Sequence, residues 1–154
     1  MQPSRRPFVL SLLLGLVACT AGPARELAVA DMLPKTDHGS LPAAPAYIVF
    51  FDLDSAALTS DAAAILDGMA ADPTRANWAA IMLAGHADRA GSERSNTTLS
   101  ADRVETVRRH LLRAGIPAEL IASRAHGERR ALVGTPDGKP EPQNRRVEIY
   151  LREK

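Results

Sequence analysis

The residues after about Ala46 predict an α+β sandwich of order β-α-β-α-β-β, two helices packed on a mixed four-stranded sheet. Three observations predict it. Short runs of β-formers alternate with two segments of helical apolar period. Each helical segment joins two strand-like runs, which invites right-handed crossovers. The last segment, Arg145 to Arg152, places Val147, Ile149 and Leu151 on one face with strand period, as an antiparallel closing strand does.

Tyr47-Ile-Val-Phe-Phe51 opens the fold as a run of β-formers, read as a buried strand. Thr59 or Ser60 caps a helix to about Ala71, with Asp61 near its positive end and Ala64, Ile65, Leu66 and Met69 as its apolar stripe. Asp72-Pro73 ends it, because the residue before proline avoids helical geometry. Trp78 to Ala84 is the second strand, closed by Gly85. Ser92 caps the second helix, whose period is Ser100, Val104, Val107 and Leu111, and Gly115 and Pro117 stop it. The weak helix formers at 95–98 leave its start open. Pro117 to Leu120 suggests a single turn, Ile121 to His126 a third strand, and the Gly- and Pro-rich stretch from Gly127 to Gln143 a loop. The roughly 108 residues from Ala46 onward can bury a core without a disulfide.

The front of the chain has a different character. Arg5 and Arg6 precede the apolar run Phe8 to Ala18, which at roughly 11 residues is short of the ~20 that a spanning helix needs. A charged start, a short apolar run and small residues after it describe an export signal, 1–18. The single cysteine, Cys19, ends Leu16-Val17-Ala18-Cys19, which resembles a bacterial lipobox. That resemblance implies that Cys19 becomes a lipidated N-terminus; the plainer alternative is an ordinary signal segment that leaves a free thiol. Several acyl chains exceed the two-signal requirement for stable anchoring. Thr20 rather than Asp after the cysteine favours the outer membrane. Residues 20–45 hold Pro23, Pro34, Pro42 and Pro45 without a sustained apolar period, so 19–45 reads as lipidated Cys plus flexible linker, and 46–154 as the domain.

The formal charge is +1, from 19 basic and 18 acidic residues, and loss of Arg5 and Arg6 with the signal segment makes it −1. A near-neutral domain has no net attraction for a phosphate backbone, which argues against nucleic acid as a general partner. Recognition has to come from a local site.

Gly85-His86-Ala87-Asp88 comes directly off a strand, followed by Arg89-Ala90-Gly91, Asn96, Leu99-Ser100 and Arg103. Phe50-Phe51-Asp52-Leu53-Asp54 stands upstream and Asn144-Arg145-Arg146-Val147 near the end. In order and without large gaps, these resemble the C-terminal peptidoglycan-binding domain of the OmpA family, especially its Pal-type, peptidoglycan-associated lipoproteins. The resemblance implies non-covalent binding of peptidoglycan through the diaminopimelate of stem peptides. The protein would then tether the outer membrane to the wall, lipid-anchored with its domain facing the periplasm.

Diaminopimelate ends in an ammonium and a carboxylate on one carbon. Asp88 suits the ammonium, and Arg103 the carboxylate through two parallel hydrogen bonds. Both match the family's principal ligand pair, and both are expected at loop or helix surfaces. Asn96 stands two helical turns before Arg103 and shares its face if the helix starts early enough to include it. Asp54 matches a residue of the opposite wall, and Arg145 one beside the site. Ser95 departs from the family, where an aromatic residue often precedes the asparagine.

His86 reads as a buried, hydrogen-bonded imidazole. Arg108, Arg109 and Arg113 read as a solvated helix face. A catalytic or metal-dependent reading has little to stand on. His86, Asp88, Glu93 and His126 are the candidate ligands, but no His-Glu-x-x-His, no cysteine beyond Cys19 and no nucleophile elbow is present. No cofactor is implied and the chain is read as a binding protein, not an enzyme. The resemblance leaves one alternative open, a subunit whose main role is interaction with the periplasmic Tol system.

Overall fold

The computed structural model describes residues 44–154. The export signal, Cys19 and the linker up to Ala43 lie outside the described residues. Six main elements follow one another: β1 (Tyr47–Phe50), α1 (Ser60–Ala70), β2 (Trp78–Gly85), α2 (Glu93–Arg113), β3 (Ile121–Ala125) and β4 (Arg146–Glu153). Short 3₁₀ turns at Pro73–Asn77, Ala118–Leu120 and Pro142–Asn144 fill the connections.

The sheet order is β1-β4-β2-β3. The closing strand inserts between the first two, antiparallel to both, with Val49 opposite Val147 and Leu83 opposite Ile149. β3 runs parallel to β2 at the edge, Gly85 opposite Ala125. The mixed sheet and its two helices are thus as expected. The C-terminal ends of β1, β2 and β3 and the start of β4 meet at one end of the sheet, because Phe50 pairs with Arg146 and Gly85 with Val147.

The core lies between the sheet and the helices, around Val49, Leu66, Ile81, Leu83, Val107 and Ile149. Ser100, Val104, Val107 and Leu111 of α2 all turn inward, as their spacing requires. The stripe of α1 is shifted from the expected one. Ala62, Leu66, Met69 and Ala70 are buried, while Ala64 and Ile65 face out. Leu66 and Met69 belong to both sets, and the short helix rolls until the small Ala62 and Ala70 approach the sheet. β1 also differs from a fully buried strand. Helices cover one face only, so Val49 is buried whereas Phe50 is 45% exposed.

The α2–β2 contact is close. A Cβ on Gly85 would lie 2.4 Å from the Ser100 carbonyl oxygen and 2.5 Å from Val104 Cγ2. Only glycine lets α2 approach there, and that approach brings the start of the helix up to the end of the sheet.

Candidate ligand-binding site

Three loops meet at this end of the sheet: 51–59 after β1, 86–92 after β2, and 126–145 before β4. Thr59 accepts from Ala62 N to start α1, and Ser92 accepts from Ser95 N to start α2. The Ser92 cap settles the beginning of α2 at Glu93 despite the weak formers that follow. Thr97 and Thr98 return their hydroxyls to the carbonyls of Glu93 and Arg94 and remain within the helix.

The long last loop is tied down by side chains. Asn144, fully buried, accepts from Leu132 N and Val133 N and donates to Val133 O. Gly127 donates its N–H to Ser100 Oγ and accepts from Ala87 N. Its φ of +56° and close contact with Thr97 leave no room for another residue.

Arg103 is the centre of the arrangement, and it is fully buried. Its Nε donates to Ser55 O at 2.9 Å, Nη1 to His86 O at 3.0 Å and Nη2 to Asp52 O at 3.0 Å. Its guanidinium stands 5.3 Å from the centre of the Phe51 ring. Burial lowers its pKa from 12.5 to about 10, Arg145 pushes the same way, and Asp88 and Asp54 oppose. It therefore remains a cation at neutral pH.

Asp88 is also buried, 3% exposed. Its partner is Arg145 rather than Arg103: Arg145 Nη1 donates to Asp88 Oδ2 at 3.2 Å. Glu141 N donates to the same oxygen at 3.1 Å and Ala90 N to Oδ1 at 3.4 Å. Arg145 Nε donates to Phe51 O, so this residue joins two of the loops. The expectation that Asp88 and Arg103 sit at the surface is wrong. Backbone carbonyls and amides of neighbouring loops enclose both, and a sequence carries no mark of where such groups converge.

Asn96 is buried on the same helix face as Arg103 and donates to Glu128 Oε2 at 2.6 Å. Asp54 is exposed, adopts φ +51°, and its charge is felt by Arg103. Aspartate tolerates that left-handed turn better than most residues. The five candidate residues thus lie around one end of the sheet, with Asp88, Arg103 and Arg145 electrostatically coupled. Sequence reasoning missed Glu128, the Glu141 amide and the three carbonyls held by Arg103. A cleft of about 470 Å³ adjoins the group, lined by Phe50, Asp52, Ile65, Pro142 and Arg145 among others.

Residues 50–145 match the OmpA family. The chain belongs to that family. An outer membrane protein of Gluconacetobacter diazotrophicus is 37% identical over 111 residues, 68% of this chain and 29% of that protein. A peptidoglycan-associated lipoprotein of Rhizobium meliloti is 32% identical over 109 residues, 67% of this chain and 58% of that protein. The chain therefore spans between 29% and 58% of the length of these curated relatives. The crystal structure of the peptidoglycan-associated lipoprotein from Burkholderia pseudomallei superposes with a TM-score of 0.62 at 25% identity, covering 68% of this chain and 89% of that one. The C-terminal domain of Helicobacter pylori MotB shares the fold, with a TM-score of 0.60 at 19% identity over 70% of this chain and 85% of that one.

The OmpA-family motifs divide by task in this fold. Gly85, Ser100 and Asn144 hold elements together, whereas Asp88, Arg103 and Arg145 supply charge. His86 belongs to neither group. It is 2% exposed and points to the sheet face away from the helices, and neither ring nitrogen makes a hydrogen bond within the protein. Nε2 comes within 3.4 Å of Glu148 Oε2 without bonding alignment. The imidazole is buried as expected but not hydrogen-bonded.

Burial first, then Arg146, lowers the His86 pKa from 6.5 to about 4, against the pull of Glu148, while His126 adds to the depression. The folded state thus prefers neutral His86, and the unfolded chain binds the proton first as pH falls. Stability from this group is complete above about pH 6.5 and is lost toward pH 4. Between pH 7 and pH 5 the loss should reach about 2 kcal/mol, with His126 acting in the same direction. Urea unfolding at the two pH values checks this, and His86→Gln should flatten most of the slope. An unchanged slope in that variant would assign the effect elsewhere.

Proposed function

We propose that this chain is a peptidoglycan-binding protein of the outer membrane that holds the wall non-covalently through the diaminopimelate of stem peptides. One observation carries the reading: a buried carboxylate, Asp88, lies in a shared electrostatic environment with two guanidinium groups, Arg103 and Arg145. A zwitterion with both charges on one carbon needs an anion and a forked cation side by side. The names of its relatives, an outer membrane protein and peptidoglycan-associated lipoproteins, point the same way.

In the proposed complex Asp88 receives the ligand ammonium, which competes with Arg145 for the carboxylate. Arg103 has spent three of its five N–H groups on carbonyls and keeps one on each Nη. Arg145 Nη2 has no partner among the described residues. Together these N–H groups can read the ligand carboxylate, with Asn96 and Asp54 at the margins of the site. Because Asp88 and Arg103 are enclosed, the loops at 51–59 and 137–145 have to part to admit the ligand.

The full-length chain should pellet with walls whose stem peptides carry diaminopimelate and remain in the supernatant with walls that carry lysine. Lysine keeps the ammonium and lacks the carboxylate. Equal pelleting with both would refute the diaminopimelate assignment.

Anchoring is proposed from Leu16-Val17-Ala18-Cys19. Cys19→Ser should move the protein from the membrane fraction to the soluble fraction or leave an uncleaved precursor. Parent protein recovered unlipidated from the soluble periplasm would contradict the anchor.

A further inference from the structure

The sheet face opposite the helices carries a polar cavity that contains none of the residues assigned to the diaminopimelate. It encloses about 340 Å³, and the loop after β3 folds over it. Met82, Ala84, Ala131 and Leu132 form apolar walls, and Leu132 is 55% exposed at the rim. Around them stand Arg124, Arg130, Arg146, His86, His126 and Glu148.

The charge pattern decides what the cavity suits. Glu148 is already satisfied: Oε1 accepts from Arg146 Nε at 2.9 Å and Nη2 at 2.7 Å, and Oε2 accepts from Tyr150 Oη at 2.8 Å. Arg146 therefore cancels Glu148. Arg124 and Arg130 form no ion pair among the described residues, which leaves two uncompensated cations. Behind them Arg146 Nη1 and both nitrogens of His86 are buried without a hydrogen-bond partner in the protein. The guanidinium N–H and the single N–H of the neutral imidazole are buried donors, costly unless something accepts from them. A divalent cation would face three guanidinium groups, and no cluster of metal-ligating residues is found among the described residues. Two open cations, an inward guanidinium N–H and an imidazole N–H suit a compact dianion with several acceptor oxygens. The apolar walls leave room for an organic substituent.

We propose that this cavity is an anion site that takes a phosphate monoester group, with Arg124 and Arg130 at its mouth and Arg146 and His86 at its floor. The group could arrive on a soluble molecule or as a lipid headgroup, and the experiment separates the two.

Isotope-labelled full-length chain is titrated with inorganic phosphate at constant ionic strength, followed by the amide signals of 124–132 and 146–150 and the ring signals of His86 and His126. Saturable shifts at about millimolar phosphate are expected, weakened about tenfold or more in Arg124→Gln/Arg130→Gln. Both arginines are exposed and remote from Asp88 in the hydrogen-bond network, so this variant should still pellet with peptidoglycan. Binding to phosphatidylcholine vesicles containing phosphatidic acid, but not to phosphatidylcholine alone, would assign the headgroup source. Response to free phosphate without vesicle binding would assign a soluble ligand. No shift with phosphate, the same shift with sodium chloride, or undiminished binding by the double variant would overturn the proposal.

Discussion

Arg103→Ala should destabilise the domain by about 3 kcal/mol or more, because three enclosed carbonyl groups lose a charged donor at once. Ser55 O and Asp52 O belong to the loop after β1, and His86 O to the end of β2, so one side chain of α2 holds two loops in register. The Phe51 ring also loses the cation beside it. For a domain of this size, a loss of that order lowers the melting temperature by roughly 10–20 °C. Arg103→Lys should lose nearly as much. An ammonium on a flexible stem cannot meet three carbonyls placed around a rigid fork. Thermal and urea unfolding of the two variants beside the parent measure the effect. A change below about 0.5 kcal/mol for Arg103→Ala would mean that water replaces the guanidinium without penalty. With the expected destabilisation, failure of this variant to pellet with walls mixes lost contact with a collapsed site, so it cannot test ligand binding by itself.

Asp88→Asn is the cleaner probe of binding. The amide has the size of the carboxylate, and its oxygen can still accept from Glu141 N. What it loses is the charge that would hold the ligand ammonium. Loss of a desolvated charged partner typically costs about 2–5 kcal/mol, so affinity should fall at least ~30-fold. The variant should stay in the supernatant of a peptidoglycan pelleting assay, while Arg109→Ala, on an exposed part of α2 beside Glu105, should pellet like the parent. Arg145 loses its counter-ion in Asp88→Asn, so unfolding curves are needed to show that the protein stays native under assay conditions. A folded Asp88→Asn that pellets like the parent would remove the central contact of the proposed mechanism.

Much of the fold is readable from local pattern. Val147, Ile149 and Leu151 alternate because strand side chains alternate, and Ser100, Val104, Val107 and Leu111 recur because a helix turns every 3.6 residues. Thr59 and Ser92 are legible for the same reason: capping depends on a few neighbouring atoms. Where local pattern misleads, the competing influence is layer geometry. Phe50 reads as core in a run of β-formers, yet it lies on the uncovered face of an edge strand. Ile65 reads as part of the α1 stripe, yet the helix rolls toward its alanines.

The site was only half legible. The family pattern points to Asp54, Asp88, Asn96, Arg103 and Arg145 because it tells which side chains recur, but it does not say what encloses them. The Asp88–Arg145 pair joins residues 57 apart in the chain, and Arg103 reaches back 48 and 51 residues to the carbonyls it holds. Carbonyl and amide groups are common to nearly every residue, so no sequence signal marks those that will converge on a guanidinium.

By itself the sequence determined the elements, their order, the OmpA-like motif set and the balance of charge. Those properties follow from backbone period, cap chemistry and residue identity within a few positions. The tertiary structure alone decided that β4 lies between β1 and β2, that Arg145 rather than Arg103 neutralises Asp88, and that His86 turns away from the candidate ligand site. Each of these depends on chain segments far apart in sequence meeting at one end of a sheet. There desolvation penalises an unpaired charge, and the nearest satisfying partner sets the contact.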